Sequence, residues 1–144
     1  MKIFLLLPLL FMFTIAYTQS TVTVSINGIK KAEYTIKSDE TAAGSSIKKA
    51  AIKKMSRLTV LINGEQVNNA VYKKTLEVTG SDEIAVASVA QTAGVKGQFV
   101  FSNTKLKSLL SKGKPVKLYL MLEPADDRMM MPSKRIYMGT ISVK

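Results

Sequence analysis

The chain contains no cysteine, no histidine and no tryptophan among its 144 residues. Without cysteine there is no disulfide framework, no thiolate zinc site and no thiol nucleophile. Without histidine there is no Ser-His-Asp triad, no imidazole ligand for a metal or haem, and no side chain that ordinarily titrates near neutrality. Carboxylates are few, 10 against 21 Lys+Arg, which leaves a formal charge of +11. Arginine occurs only at Arg57, Arg128 and Arg135, so the basic charge is almost entirely lysine. Readers of nucleic acid usually interleave arginines and stacking aromatics with their lysines. That pattern is missing, and nucleic acid is not the expected partner. Missing too are the Gly-x-x-x-x-Gly-Lys phosphate cradle, a calcium loop and any Asn-x-Ser/Thr acceptor.

What the chain does have is sharply divided. Lys2 precedes an apolar run from Ile3 to Tyr17 that only Pro8 and Thr14 interrupt. About fifteen apolar residues fall short of the ~20 needed to span a bilayer as a helix. Small residues follow at Thr14, Ala16, Thr18 and Ser20, where a signal peptidase reads. Residues 1–20 are therefore expected to be a cleaved signal peptide and 21–144 a single domain, with no transmembrane segment left after cleavage. A secreted chain with neither disulfides nor glycosylation acceptors fits a bacterial envelope, periplasmic or released, better than a eukaryotic secretory route.

From Thr21 onward the dominant period is two. Val22, Val24 and Ile26 alternate with polar residues up to Asn27-Gly28, and Ala32, Tyr34 and Ile36 share one face of the return segment. That is a hairpin with one wet face. Residues 38–44 read as a polar connection. Ser45 to Met55 carries apolar residues at three- and four-residue spacing behind Ser45 or Ser46 as a cap, which predicts a helix. Leu58–Ile62 returns to strand and ends at Asn63-Gly64, a second turn signal. Further strands are expected at Val67–Tyr72, Thr75–Thr79, Ile84–Val89 and Gln98–Phe101. A second helix, Thr104 to Ser111, is capped by Ser102 or Asn103 and stopped by Gly113 and Pro115. Val116–Leu122 is nearly all apolar and so central, and Lys134–Val143 closes the chain. Val24–Gly28 is echoed by Val60–Gly64, as two hairpins with the same turn grammar would be. Together these predict a mainly all-β fold, an antiparallel sandwich of about seven to nine short strands with one or two short helices. Val24, Ile26, Tyr34, Ile36, Leu58, Val60, Leu118, Leu120, Ile136 and Ile141 are its expected core.

No constellation asks for catalysis, and no catalytic residue, resident metal or cofactor is assigned. Ser-x-x-Lys occurs twice in Ser45–Lys49, a spacing used by serine acyltransferases, but capping accounts for the serines and no Lys-Thr-Gly partner follows. Asp39-Glu40, Asp82-Glu83 and Asp126-Asp127 are turn residues. The lysine doublets (30–31, 48–49, 53–54, 73–74) are expected to spread over opposite faces rather than form one groove, leaving general attraction to an anionic envelope surface. The unusual segment is Glu123–Arg135, bracketed by prolines, with Met129, Met130 and Met131 in succession. An apolar loop tip asks for a partner. Arg128, Met129, Met130, Met131 and Arg135 are the candidate partner-binding residues, for a protein of the envelope. The rival readings are metal handling, with Cu(I) on the thioethers of Met129, Met130 and Met131 and Met138 as a further candidate ligand, and polyanion binding, which a basic groove in the fold would favour.

Exported material should begin between Tyr17 and Thr21 by intact-mass measurement. Retention of Met1 would make the segment an anchor instead.

Overall fold

In the computed structural model, residues 19–37 and 43–144 are described. They form β1 (Gln19–Ile26), β2 (Ile29–Lys37), β3 (Gly44–Ile47), α1 (Lys49–Lys53), β4 (Leu58–Asn63), α2 (Glu65–Asn68), β5 (Tyr72–Thr79), β6 (Ala85–Ala90), β7 (Gln98–Phe101), α3 (Thr104–Ser111), β8 (Val116–Pro124) and β9 (Lys134–Val143). The expected signal segment lies outside the described residues up to residue 18, as do 38–42 of the expected connection. Gln19 and Ser20 already belong to β1, opposite Lys37 and Ile36.

The strands make two sheets, β2-β1-β4-β7 and β3-β9-β8-β5-β6, which is the sandwich that the alternation implied. Every neighbouring pair is antiparallel except β3 with β9. The first hairpin turns at Asn27-Gly28, both left-handed (φ 52° and 83°), the conformation that an Asn-Gly two-residue turn supplies. Asn27 is also tied down: its carboxamide oxygen accepts from the backbone N–H groups of Ser56 and Arg57, each at 3.0 Å. The strand at Val116 is central, with two strands on either side.

Inward-facing residues of both sheets form one buried cluster, joined by Ile52 and Met55 from the α1 segment and by Leu106 and Leu110 from α3. Eight of the expected core residues are buried, and Tyr34 and Ile136 pack half-buried against them. The α3 cap is Asn103, whose side-chain oxygen accepts from the N–H groups of Lys105 and Leu106 at 2.8 and 3.1 Å. This helix carries the chain from one sheet to the other and rests against α1, β6 and β9.

Two expectations fail. Ser45 to Met55 is not one helix. Gly44–Ile47 is extended and lies parallel on the edge of β9, from Gly44 opposite Thr140 to Ile47 opposite Val143, and only Lys49–Lys53 is helical. Ser45 and Ser46 cap nothing. Strand pairing won over helical spacing because Gly44, having no Cβ, can lie against the backbone of Thr140. Likewise Val67–Tyr72 is not a strand. Asn63-Gly64 leads into the helical turn α2, which buries Val67, and β5 starts at Tyr72. The echo of the first hairpin is therefore not a second one; instead β1 and β4 lie side by side, with Val24 opposite Val60.

Three strand pairs carry irregularities of one extra residue. In β2, Ala32 faces Val24 and Lys30 faces Ser25, so Lys31 bulges. In β6 the extra residue is Val86. In β9, Tyr137 faces Tyr119 and Thr140 faces Lys117, leaving Met138 and Gly139 against Leu118. Gly139 takes φ 104°, and a Cβ there would strike the Tyr34 ring. The Tyr34 hydroxyl donates to the Met138 carbonyl at 2.8 Å, joining the two sheets through an edge strand. Burial pushes this phenol well above its usual pKa, so the hydroxyl stays a donor across the practical pH range.

Truncating Leu120 to Ala in the central strand should cost about 2–5 kcal/mol, and removing only the hydroxyl with Tyr34→Phe about 1–3 kcal/mol. Urea unfolding checks both.

Candidate functional site

The loop joining β8 to β9 is built from its base upward. The Ala125 N–H donates to the Val71 carbonyl at 2.8 Å, anchoring the exit from β8. Asp126 then folds a turn over itself: its carboxylate accepts from the Arg128 backbone N–H at 3.0 Å and from the guanidinium at 3.1 and 2.9 Å. Those Arg128 hydrogen bonds hold the Asp126 carboxyl below the usual carboxylate range. The Met129 N–H closes the turn on the Asp126 carbonyl at 3.0 Å. Beyond it Met130 is fully exposed, while Met129 and Met131 are 43% and 37% exposed. All three thioether chains reach solvent from a backbone fixed at its root. Residues 125–133 contain two carboxylates and one guanidinium, so this tip lacks the positive charge of the rest of the chain.

Of the five candidate residues, the structure brings four to the tip. Arg135 is elsewhere, on the outer face of the five-stranded sheet. Its guanidinium lies 3.6 Å from the Tyr119 ring centroid and donates to Glu77 at 3.0 Å, with Glu83 at 3.9 Å. Glu83, left-handed at φ 61° in the β5–β6 turn, also accepts from the Lys117 ammonium and from the Tyr119 hydroxyl, the latter at 2.9 Å. Tyr137 packs beside Tyr119 at 5.7 Å between ring centroids. These hydrogen bonds from Lys117 and Tyr119 lower the Glu83 pKa and raise that of Lys117. The network neutralises itself, and Arg135 is spent within it.

The fourth methionine proposed for copper, Met138, is buried under the β9 bulge and does not join the other three. Among the described residues no group of three or more Asp or Glu side chains is placed to hold a metal. Neither Ser-x-x-Lys spans a helical turn, since both serines are in β3. Among the described residues no helix is long and apolar enough to cross a membrane.

The lysines depart from expectation. Lys30, Lys31, Lys48, Lys54 and Lys144 line one groove of about 580 Å³, together with Ser46, Ile47, Ala50 and Ala51. Alternation would send Lys30 and Lys31 to opposite faces, but the bulge at Lys31 breaks it. Lys48 and Lys54 arrive from the two ends of α1. Lys144 is held there by main-chain bonds, its N–H to the Ile47 carbonyl and its oxygen to the Lys49 N–H, at 3.0 and 2.9 Å. No pattern within one segment signals this groove, because its walls meet only once β3 is laid on β9.

No family model matches the chain, and no curated protein and no solved structure is significantly similar to it.

A carboxylate whose pKa is lowered by folding stabilises the fold above the ordinary carboxylate range, and that contribution disappears as pH falls through the lowered value. Glu83 and Asp126 are both of this kind. The thermal midpoint should therefore fall as pH drops below about 4.5, and Glu83→Gln should lower the midpoint at pH 7 while flattening its acid dependence. Melts between pH 7 and 2.5 test this.

Proposed function

We propose that this protein is an exported, non-catalytic binding module of the bacterial cell envelope that docks a protein partner through the methionine tip at Arg128–Met131. One observation carries the reading: three consecutive thioether side chains are solvent-exposed on a loop whose base is fixed by Asp126, Arg128 and the Val71 carbonyl. Exposed apolar side chains on an ordered loop are available to be buried elsewhere, and a pre-formed loop loses little entropy when they are. Methionine suits the task, since its unbranched, polarizable chain adapts to the pocket it meets. The partner surface is an apolar pocket, and the Asp126–Arg128 pair and Asp127 form the polar rim. The apolar run at 3–17 and the small residues after it support export, and signal cleavage that leaves Ser20 in place keeps its 2.5 Å hydrogen bond to Gln66.

A photo-crosslinking residue at position 130 should yield one discrete protein adduct in the envelope fraction, and one at exposed Lys105 should yield none. The identified partner, purified, should bind the Met129→Ser, Met130→Ser, Met131→Ser variant at least tenfold more weakly, about 1.4 kcal/mol, with the melting midpoint within a degree or two of the parent. Unchanged affinity, or a midpoint that collapses, overturns the docking role. Loss of a stoichiometric Cu(I) spectroscopic signal in the variant, with partner binding intact, would support metal handling instead.

A further inference from the structure

The lysine groove lies at the far end of β9 from the methionine tip. The ten residues of that strand put the two on the order of 30 Å apart. The surfaces are also opposite in chemistry. The tip is apolar without excess positive charge, whereas no described Asp or Glu lines the groove. Lys30 is paired with Glu33 at 2.8 Å, but Lys31, Lys48, Lys54 and Lys144 form no ion pair with any described residue. On the outer sheet face Lys117 is spent on Glu83. Four ammonium groups around one concavity, unpaired among the described residues, sum to a local positive potential that favours a ligand bringing concentrated negative charge.

The rest of the lining narrows the ligand. Ser46 also lines the groove, and its buried hydroxyl has no hydrogen-bond partner among the described residues. Ile47, Ala50 and Ala51 give a short apolar floor without bulk. There is no arginine in the lining, so nothing offers the planar fork that reads a carboxylate in two bonds. Lysine acts instead as a compact point charge. A carboxylate supplies a single negative charge, whereas a phosphomonoester carries about 1.5–2 near neutral pH with three acceptor oxygens. The volume falls within the range of small-molecule sites and admits more than one phosphate group.

We infer that the groove formed by Lys30, Lys31, Ser46, Lys48, Lys54 and Lys144 binds a ligand bearing clustered phosphate groups, either a free oligophosphate or a phosphorylated headgroup displayed on a bilayer. This goes beyond the docking role of the tip and does not rest on it. Together the two sites would make the module a bridge between a protein and a phosphate-rich ligand.

The test uses the whole mature chain and two probes, sodium tripolyphosphate by calorimetry and phosphatidic acid vesicles by co-sedimentation, at about 0.15 M salt. Two variants of equal charge are compared, Lys48→Gln/Lys54→Gln in the groove and Lys73→Gln/Lys112→Gln outside it. All four side chains are exposed, so the melting midpoints serve as a check that each variant is folded. The groove variant should bind at least tenfold more weakly and the control less than twofold. Groove-dependent binding of tripolyphosphate supports the proposal with a free oligophosphate as ligand. Groove-dependent binding of vesicles while tripolyphosphate stays inert supports it with a bilayer source. Equal losses in both variants would show only diffuse attraction to a basic surface and overturn it, as would the absence of binding to either probe. The Met129–Met131 variant should bind both probes like the parent, so failure of the tip reading and failure of the groove reading are distinguishable.

Discussion

A single extra residue in β9 governs much of this molecule. Strict alternation would carry the inward face from Ile136 and Met138 on to Thr140 and Ser142, burying hydroxyls and exposing Ile141 and Val143. Instead Met138 and Gly139 together face Leu118, the phase shifts by one, and Ile141 turns into the core. Glycine permits the backbone its φ of 104° and leaves room for the Tyr34 ring, whose hydroxyl satisfies the Met138 carbonyl that the bulge takes out of the ladder. The same shift puts Thr140 where Tyr137 can bond it, at 2.6 Å between the two oxygens. Past the bulge, β3 adds in parallel to the final stretch of β9, and that addition builds one wall of the lysine groove.

The charge on the surface is not spread evenly in its effect. A net +11 could mean nothing more than solubility and protection of sheet edges, for which lysine serves well. On the outer face of the five-stranded sheet that account suffices for Lys117 and Arg135, which are balanced by Glu77 and Glu83, with Arg135 lying over the Tyr119 ring. At the groove the lysines gather from three segments, and among the described residues one carboxylate, Glu33, answers them. The methionine tip is a third kind of surface, apolar and locally free of excess positive charge. An arrangement with distinct chemistry at the two ends of one strand suits a module that joins two partners better than one that merely coats itself in charge.

Most of the architecture was legible in the sequence, because in a two-layer sandwich each strand buries alternate residues and so advertises its own facing. The first hairpin, the strands at 98–101 and 134–143, the capped helix at 104–111 and the central position of the 116–122 run all follow from patterns confined to a single segment. Exposure of at least one methionine was legible from alternation too, since an extended loop cannot turn three successive side chains inward; that all three are exposed was not. What the sequence could not decide were the contacts made by the chain with distant parts of itself. Helical spacing at 45–55 lost its first half to the free edge of β9, nearly a hundred residues away, and Asn63-Gly64 could not announce whether a strand or a helical turn came next. Arg135 looked like part of the tip until Tyr119 on the adjacent β8 and Glu77 on β5 beyond it claimed it. The Lys30-Lys31 doublet looked dispersed because alternation was read without the bulge at Lys31, and a bulge depends on how two strands register, which only their packing fixes.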